Sequence, residues 1–250
     1  MWKMPIPTSS FPNRKPVILL EHVAKSFDDM IVFEDITLHV EKGEVVTLLG
    51  SSGSGKSTLF NIIAGLYGVD RGKVEVEGSV GYMQQKDLLL PWKRVYENIA
   101  LPLKLQHVSK EIIQEKIEKY LPLAGLEGTE KKYPYQLSGG MRQRVSFVRT
   151  LMRAEDIMLF DEAFGSLDYA TRRQMQHWLL DMKDTLDNTM VFITHDIDEA
   201  IYLSDRIYVL SKIPATIERE IVLDYDRDHK EKRFLSPRTM ELKEEILKLL

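Results

Sequence analysis

The chain has 250 residues, 44% hydrophobic and 29% charged, the composition of a soluble globular protein with a sizeable core. Lys plus Arg number 34 against 38 Asp plus Glu, and the net charge of −4 argues against a dedicated nucleic-acid binder. Cysteine is absent, which excludes disulfides, thiolate metal sites and cysteine nucleophiles.

Residues 1–16, with several Pro, Ser and Asn, predict an irregular extension without the apolar run of a secretory signal. No apolar run approaches the roughly 20 residues of a membrane-spanning helix. Residues 17–20 are a short apolar run. Ile36, Leu38 and Val40 alternate with Thr37, His39 and Glu41, the period of a half-buried strand. After a turn at Lys42-Gly43-Glu44, residues 44–49 predict a buried parallel strand. A Gly-rich loop then leads into a helix starting near Lys56, with Leu59, Ile62, Ile63 and Leu66 at helical spacing.

Residues 74–76 and 80–83 predict further strands. From Val95 to about Tyr120 the pattern is helical, with an interruption at Pro102. Ser138 opens a helix whose face carries Met141, Val145, Val148, Leu151 and Met152. Residues 157–160 and 190–193 predict buried strands on either side of a helix from about Ala170 to Leu186, and residues 208–210 predict another strand. Residues 225–233 form a charged, solvated stretch. Ser236-Pro237 then starts a last helix with Leu242, Ile246, Leu249 and Leu250 on one stripe. Strands alternating with helices predict an α/β fold on a parallel sheet, with the early strands and mid-chain helices as additions to it.

Residues 50–57, Gly-Ser-Ser-Gly-Ser-Gly-Lys-Ser, match the phosphate-binding pattern G-x-x-x-x-G-K-[ST] in its required place between strand and helix. Glycines let successive N–H groups curl around phosphate oxygens, and the helix N-terminus adds donors and a favourable dipole. Lys56 suits the β- and γ-phosphates and the Ser57 hydroxyl suits Mg²⁺. Asp161 and Glu162 end an apolar strand. Behind a phosphate loop they read as a metal-side carboxylate and a general base for the attacking water, and in isolation as a helix N-terminal pair. Leu137-Ser138-Gly139-Gly140 is a second capped helix start with two glycines, so a second phosphate site. One nucleotide does not need two such sites from one chain. Two chains arranged head to tail do.

In motif order and in nearly every motif the sequence resembles the ATP-binding cassette (ABC) ATPases. Residues 137–144 resemble their signature, so that Ser138, Gly139 and Gly140 would bind ATP held by the partner copy, together with Asp168 of the D-loop-like Ser166-Leu167-Asp168. Gln85 resembles the glutamine that senses Mg²⁺ and the attacking water, although Gln84 stands where the family often has an aromatic or apolar residue. His195, ending a strand, resembles the switch histidine at the γ-phosphate. Phe27 takes the place of the aromatic stacked on adenine, with a core phenylalanine as the alternative. The resemblance implies an ATP site of Phe27, Gly50, Ser51, Ser52, Gly53, Ser54, Gly55, Lys56, Ser57 and Thr58, with Mg²⁺ at Ser57, Gln85 and Asp161, and catalysis by Glu162, His195 and Gln85.

The fold so implied is a P-loop NTPase with a RecA-like parallel core, an antiparallel β subdomain and an inserted helical subdomain. One ABC ATPase domain would fill 17–250. Its nucleotide-binding core with the β subdomain would take 17–84 and 151–217, the helical subdomain 85–150, and the C-terminal tail and helix 218–250. Leu89-Leu90-Pro91-Trp92, Phe164-Gly165-Ser166-Leu167-Asp168 and Ser236-Pro237 resemble the nitrate, sulfonate and taurine class of importer ATPases. That class implies an ATP-dependent homodimer at the cytoplasmic face of the membrane. It would energise uptake of a small anionic or heterocyclic solute through separate permease subunits, with an extracytoplasmic solute-binding protein as an indirect partner. Pro91 stiffens the segment after Gln85, so Trp92 is expected to line the groove for a permease loop helix, with a core tryptophan as the competing reading. A soluble ABC ATPase acting on ribosomes or DNA is the alternative. It is disfavoured by the single cassette, the lack of a long coiled-coil insertion and the acidic balance. A small-molecule kinase leaves the signature and His195 without a reason.

Lys56→Ala is expected to weaken ATP binding by roughly 10- to 100-fold, the worth of a charge-assisted contact to phosphate. Equilibrium titration with a fluorescent ATP analogue measures it, and wild-type affinity would remove the phosphate-loop assignment.

Overall fold

The computed structural model describes residues 15–223 and 236–250. The extension expected at 1–16 falls outside these residues up to 14, and the charged stretch expected at 225–233 lies wholly outside them. Strands β1 (Pro16–Phe27) and β2 (Met30–Glu41) form an antiparallel hairpin, and β4 (Arg71–Val76) pairs with the other edge of β1. The second sheet has six strands in the order β5-β6-β7-β3-β8-β9. Strands β5 (Val80–Met83), β6 (Ile157–Asp161), β7 (Thr189–Thr194), β3 (Val45–Leu49) and β8 (Arg206–Leu210) pair in parallel, and β9 (Ile217–Val222) closes the edge antiparallel.

Period-2 geometry distributes the core. In β6, Ile157 and Leu159 face one layer, and Met158 and Phe160 face the other. In β7, Val191 and Ile193 join the first set, and Met190 and Phe192 the second. The first layer contains α1 (Lys56–Ile63) and the antiparallel sheet. The second contains α2 (Val95–Leu105), α3 (Lys110–Leu123), α4 (Gly139–Arg153) and α5 (Tyr169–Leu186). Burial on both faces explains why these strands read as unbroken apolar runs. A third cluster packs α6 (Ile197–Leu203) and α7 (Pro237–Leu247) against Leu49, Ile207 and Val209, with Ile246 of the expected C-terminal stripe fully buried in it.

Two expectations need correction, and two elements were not anticipated. Helix α2 runs through Pro102 to Leu105, and the chain leaves the helix only beyond it. Pro102 gives up one backbone donor, but buried Ile99 and Leu103 hold both sides of it in the core, and packing outweighs the lost bond. Helix α1 stops at Ile63, and Gly65, at φ 72°, turns the chain away, so Leu66 is exposed instead of sharing the helix face. Strand β9 and helix α6 had no counterpart in the sequence pattern. Half of strand β9 is charged because it is an edge, and α6 is too short to show a helical period.

A buried polar contact ties β8 to β9 and to the residue before β3. Arg206 is fully buried, with Nε donating to Glu44 Oε1 at 2.7 Å and Nη1 pairing with Glu220. Glu44 Oε2 accepts from Glu41 N at 2.9 Å. Burial pushes the Glu44 carboxyl above its ordinary range, and the Arg206 guanidinium opposes that shift. Removing Glu44 strips the buried guanidinium of one of its two carboxylate partners and leaves only Glu220. Glu44→Ala is therefore expected to destabilise the fold by about 1.5–3 kcal/mol, the worth of a hydrogen bond to a charged group, measured by urea denaturation.

Candidate active site

Strand β3 ends where the Gly-rich loop begins, and α1 starts at Lys56 directly beneath that loop. Gly55 has φ 84°, and a Cβ there would lie 2.7 Å from Val32 Cγ1, so a side chain is excluded by both conformation and space. Lys56 Nζ donates to Gly50 O at 2.8 Å, Ser51 O at 2.7 Å and Ser54 Oγ at 3.2 Å, which holds the loop closed around its own cation. Burial lowers the Lys56 pKa, and the carboxylates of Glu162 and Asp161 oppose the shift.

The loop borders a cavity of about 290 Å³, lined by residues 52–58 with Phe27, Met30, Val32, Glu162 and Ile213. Phe27 is 36% exposed at the end of β1, with its ring edge-on to Tyr67 at 5.4 Å. It is not a core phenylalanine. Its ring forms part of the cavity wall. Ile213, on the loop after β8, was not anticipated, because no local pattern marks a coil residue for a site built by a distant loop.

Parallel pairing brings β6 and β7 to the same edge. Asp161 closes β6, with Oδ1 3.4 Å from Ser57 Oγ. Two hard oxygen donors side by side fit Mg²⁺, which commonly takes one or two protein ligands and completes its shell with phosphate and water. When bound, the ion would be held by Ser57 and Asp161, where it neutralises phosphate charge. Tyr82, on β5, donates its hydroxyl to Asp161 Oδ2 at 2.9 Å, a contact that sequence reasoning missed. Burial first, then the Asp161 carboxylate, raises the Tyr82 pKa well above that of an ordinary phenol, so it stays a donor.

Glu162 follows with φ 46°, a left-handed conformation rare outside glycine, and its N–H donates to Ile193 O at 3.0 Å. Helix α5 starts only at Tyr169, so Asp161 and Glu162 are not a helix N-terminal pair. His195 Nδ1 stands 3.2 Å from Glu162 Oε1. Gln85 Nε2 lies 3.5 Å from the position of a Cβ on Gly165, in the turn after Glu162. One edge of the sheet therefore gathers Lys56, Ser57, Asp161, Glu162 and His195, with Gln85 against the turn beside them.

Ser138, Gly139, Gly140 and Asp168 stand apart and line neither this cavity nor the smaller one beside His195. Ser138 caps α4 through Oγ to Met141 N at 3.3 Å and is exposed. Asp168 caps α5 through Thr171 N at 3.0 Å. Trp92 is 71% exposed, which removes the core reading. Its segment is pinned from two sides. Asn98 exchanges hydrogen bonds with Leu90, and Arg149 donates to Leu88 O and Asp87 O.

Residues 33–165 match the family model described as ABC transporter. The chain belongs to the ABC transporter family. It is 41% identical over 203 residues to the formylaminopyrimidine import ATP-binding protein ThiZ of Halalkalibacterium halodurans, covering 80% of this chain and 82% of that protein. It is 41% identical over 209 residues to the aliphatic sulfonates import ATP-binding protein SsuB of Bacillus cereus, with 80% and 82% covered. Among solved structures, the dimeric ATP-binding cassette MJ0796 in a post-hydrolysis state with ADP and Pi aligns at TM-score 0.71 and 29% identity, over 84% of this chain and all of that one. The cassette is thus an ATPase on a P-loop fold, as its motifs imply, and most resembles import ATP-binding proteins. No helix among its described residues is long and apolar enough to cross a membrane.

Tyr82→Phe deletes the donor that orients Asp161 without touching ATP or metal directly. Mn²⁺ affinity in the presence of ADP, read by electron paramagnetic resonance, is expected to fall by about tenfold or more. Metal-free nucleotide binding should be unchanged.

Proposed function

We propose that this cassette hydrolyses ATP between two copies of itself and so drives the permease of an importer for a small anionic or heterocyclic solute. The observation that carries the reading is the separation of two phosphate-binding helix starts on one chain. The loop at 50–57 and Glu162 border one cavity, while the capped, exposed N-terminus of α4 borders none of it. Each copy would place Ser138, Gly139, Gly140 and Asp168 against the ATP of the other. The dimeric cassette similar to this chain supports that arrangement.

Within each site Phe27 would stack on adenine, residues 50–58 would cradle the phosphates, and Lys56 would turn from its loop carbonyls to the β- and γ-phosphates. Glu162, held at the sheet edge, would accept a proton from the attacking water, and His195 would orient Glu162 and meet the γ-phosphate. Gln85 would approach the metal from the turn at Gly165 and pass its movement to the pinned segment at 88–92. Exposed Trp92 would meet a permease loop helix there, at the cytoplasmic face of the membrane. The solute class follows from the formylaminopyrimidine and sulfonate import relatives. A solute-binding protein would act through the permease.

Glu162→Gln keeps the oxygen ligands of the metal and removes the base. It is expected to bind ATP, turn over at least about 100-fold more slowly, and elute as an ATP-dependent dimer in size-exclusion chromatography. Adding Ser138→Arg should restore the monomer while leaving ATP bound. A double variant that still dimerises would place the α4 N-terminus away from the partner's nucleotide.

A further inference from the structure

Arg172 sits in the first turn of α5, one turn beyond Asp168. Its two terminal nitrogens reach two different segments. Nη2 donates to Leu167 O at 3.2 Å, on the loop that carries Asp168. Nη1 lies 3.6 Å from Asp196 Oδ2, on the residue after His195. The guanidinium Nε is buried without a hydrogen-bond partner, so the side chain is held by those two contacts at its tip. Asp196 is itself fixed: its N–H donates to Thr194 Oγ1 at 3.0 Å, and its Oδ1 caps α6 by accepting from Glu199 N at 3.1 Å. One turn further along α5, Gln176 donates to Glu199 Oε1 at 2.9 Å, a second rung between α5 and α6.

The same guanidinium lines a cavity of about 70 Å³ together with Glu162, Thr194, His195, Asp196 and Glu199. Three carboxylates converge there, and Arg172 is a permanent cation among them. The path continues in both directions. His195 contacts Glu162. On the far side, the start of α4 packs on the start of α5, so close that a Cβ on Gly140 would lie 3.1 Å from Thr171 Cγ2.

We propose that Arg172 is a positioning residue for ATP hydrolysis: it locks the Asp168 loop to the His195 segment, so that His195 and Glu162 take their working geometry only when the Asp168 loop is in place. The inference rests on the proposed roles of Asp168 and His195. Its physical basis is the planar fork of arginine, which satisfies a carbonyl and a carboxylate lying in different directions. A lysine ammonium at the same position would keep one contact and release the other.

The test uses the full chain with steady-state ATPase kinetics and thermal denaturation. Arg172→Ala is expected to lower kcat by about 10- to 100-fold, the effect of a misplacement on the order of 1 Å. The KM for ATP should stay within about twofold, since no nucleotide-binding group is altered. Asp196→Asn cuts the ion pair from the other side while keeping an oxygen to cap α6, and should give a similar loss. The double variant should be no slower than the slower single variant, because both changes break one link. Wild-type kcat in either single variant, or losses that multiply in the double, would overturn the proposal. If Arg172→Ala fails to fold, Asp196→Asn decides alone by the same kcat criterion. His195→Ala separates the two levels. Wild-type turnover in that variant removes the catalytic role of His195, whereas a slow His195→Ala beside a silent Arg172→Ala removes only the positioning role of Arg172.

Discussion

The parallel pairing of β3 with β7, and of β7 with β6, is the constraint on which every distance in the site depends. Leu48 stands opposite Ile193, and Phe160 opposite Phe192, so three chain segments far apart in sequence end at one sheet edge. The Gly-rich loop leaves from the first, Asp161 and Glu162 close the second, and His195 follows the third. A one-residue slip in either ladder would turn Asp161 or Thr194 to the opposite face and break the site. The slip is resisted because both faces are buried, with aliphatic side chains toward the antiparallel sheet and Phe160 stacked on Phe192 at 4.6 Å toward the helices.

On that rigid edge the polar groups are held ahead of any ligand. Lys56 is anchored to loop carbonyls and Asp161 is gripped by Tyr82. Glu162 is kept in a left-handed backbone conformation by its bond to Ile193 O. Such a conformation costs on the order of 1–3 kcal/mol and persists only where its surroundings over-determine it. Here the strained backbone is that of the residue read as the base, whose carboxylate meets His195. The arrangement fits preorganised electrostatic catalysis, in which donors and charges are placed before the reaction begins.

The second capped helix start lies away from this edge. The N-terminus of α4 packs on the start of α5, and Ser138, Gly139, Gly140 and Asp168 line neither cavity at this edge. On the proposed reading the site would be complete only in an assembly, and assembly and hydrolysis would then respond to the same ligand. Arg172 reaches from the start of α5 to the His195 segment, with a hydrogen bond to Leu167 O on one side and an ion pair with Asp196 on the other.

Local pattern alone determined much of this protein. The glycines and Lys56 at 50–57, the strand-ending Asp161 and Glu162, the Ser138 cap and the buried strands were all legible, because each is a short-range rule of spacing, capping or periodicity. Tyr82 and Arg172 were not legible. Their meaning lies in partners 79 and 24 residues away, and neither position differs locally from an ordinary strand or helix residue. The exposure of Trp92 and of Phe27 likewise depended on which neighbours the fold supplied, since an aromatic beside a proline or at a strand end suits core and surface equally. Pro102 and Leu66 went the other way: local rules placed a break and a buried face where long-range packing and a turning glycine decided otherwise. Sequence therefore determined which chemical groups the protein carries and the elements that bear them. Only the tertiary structure decided which groups meet, because that choice is made by sheet register and by contacts between segments distant along the chain.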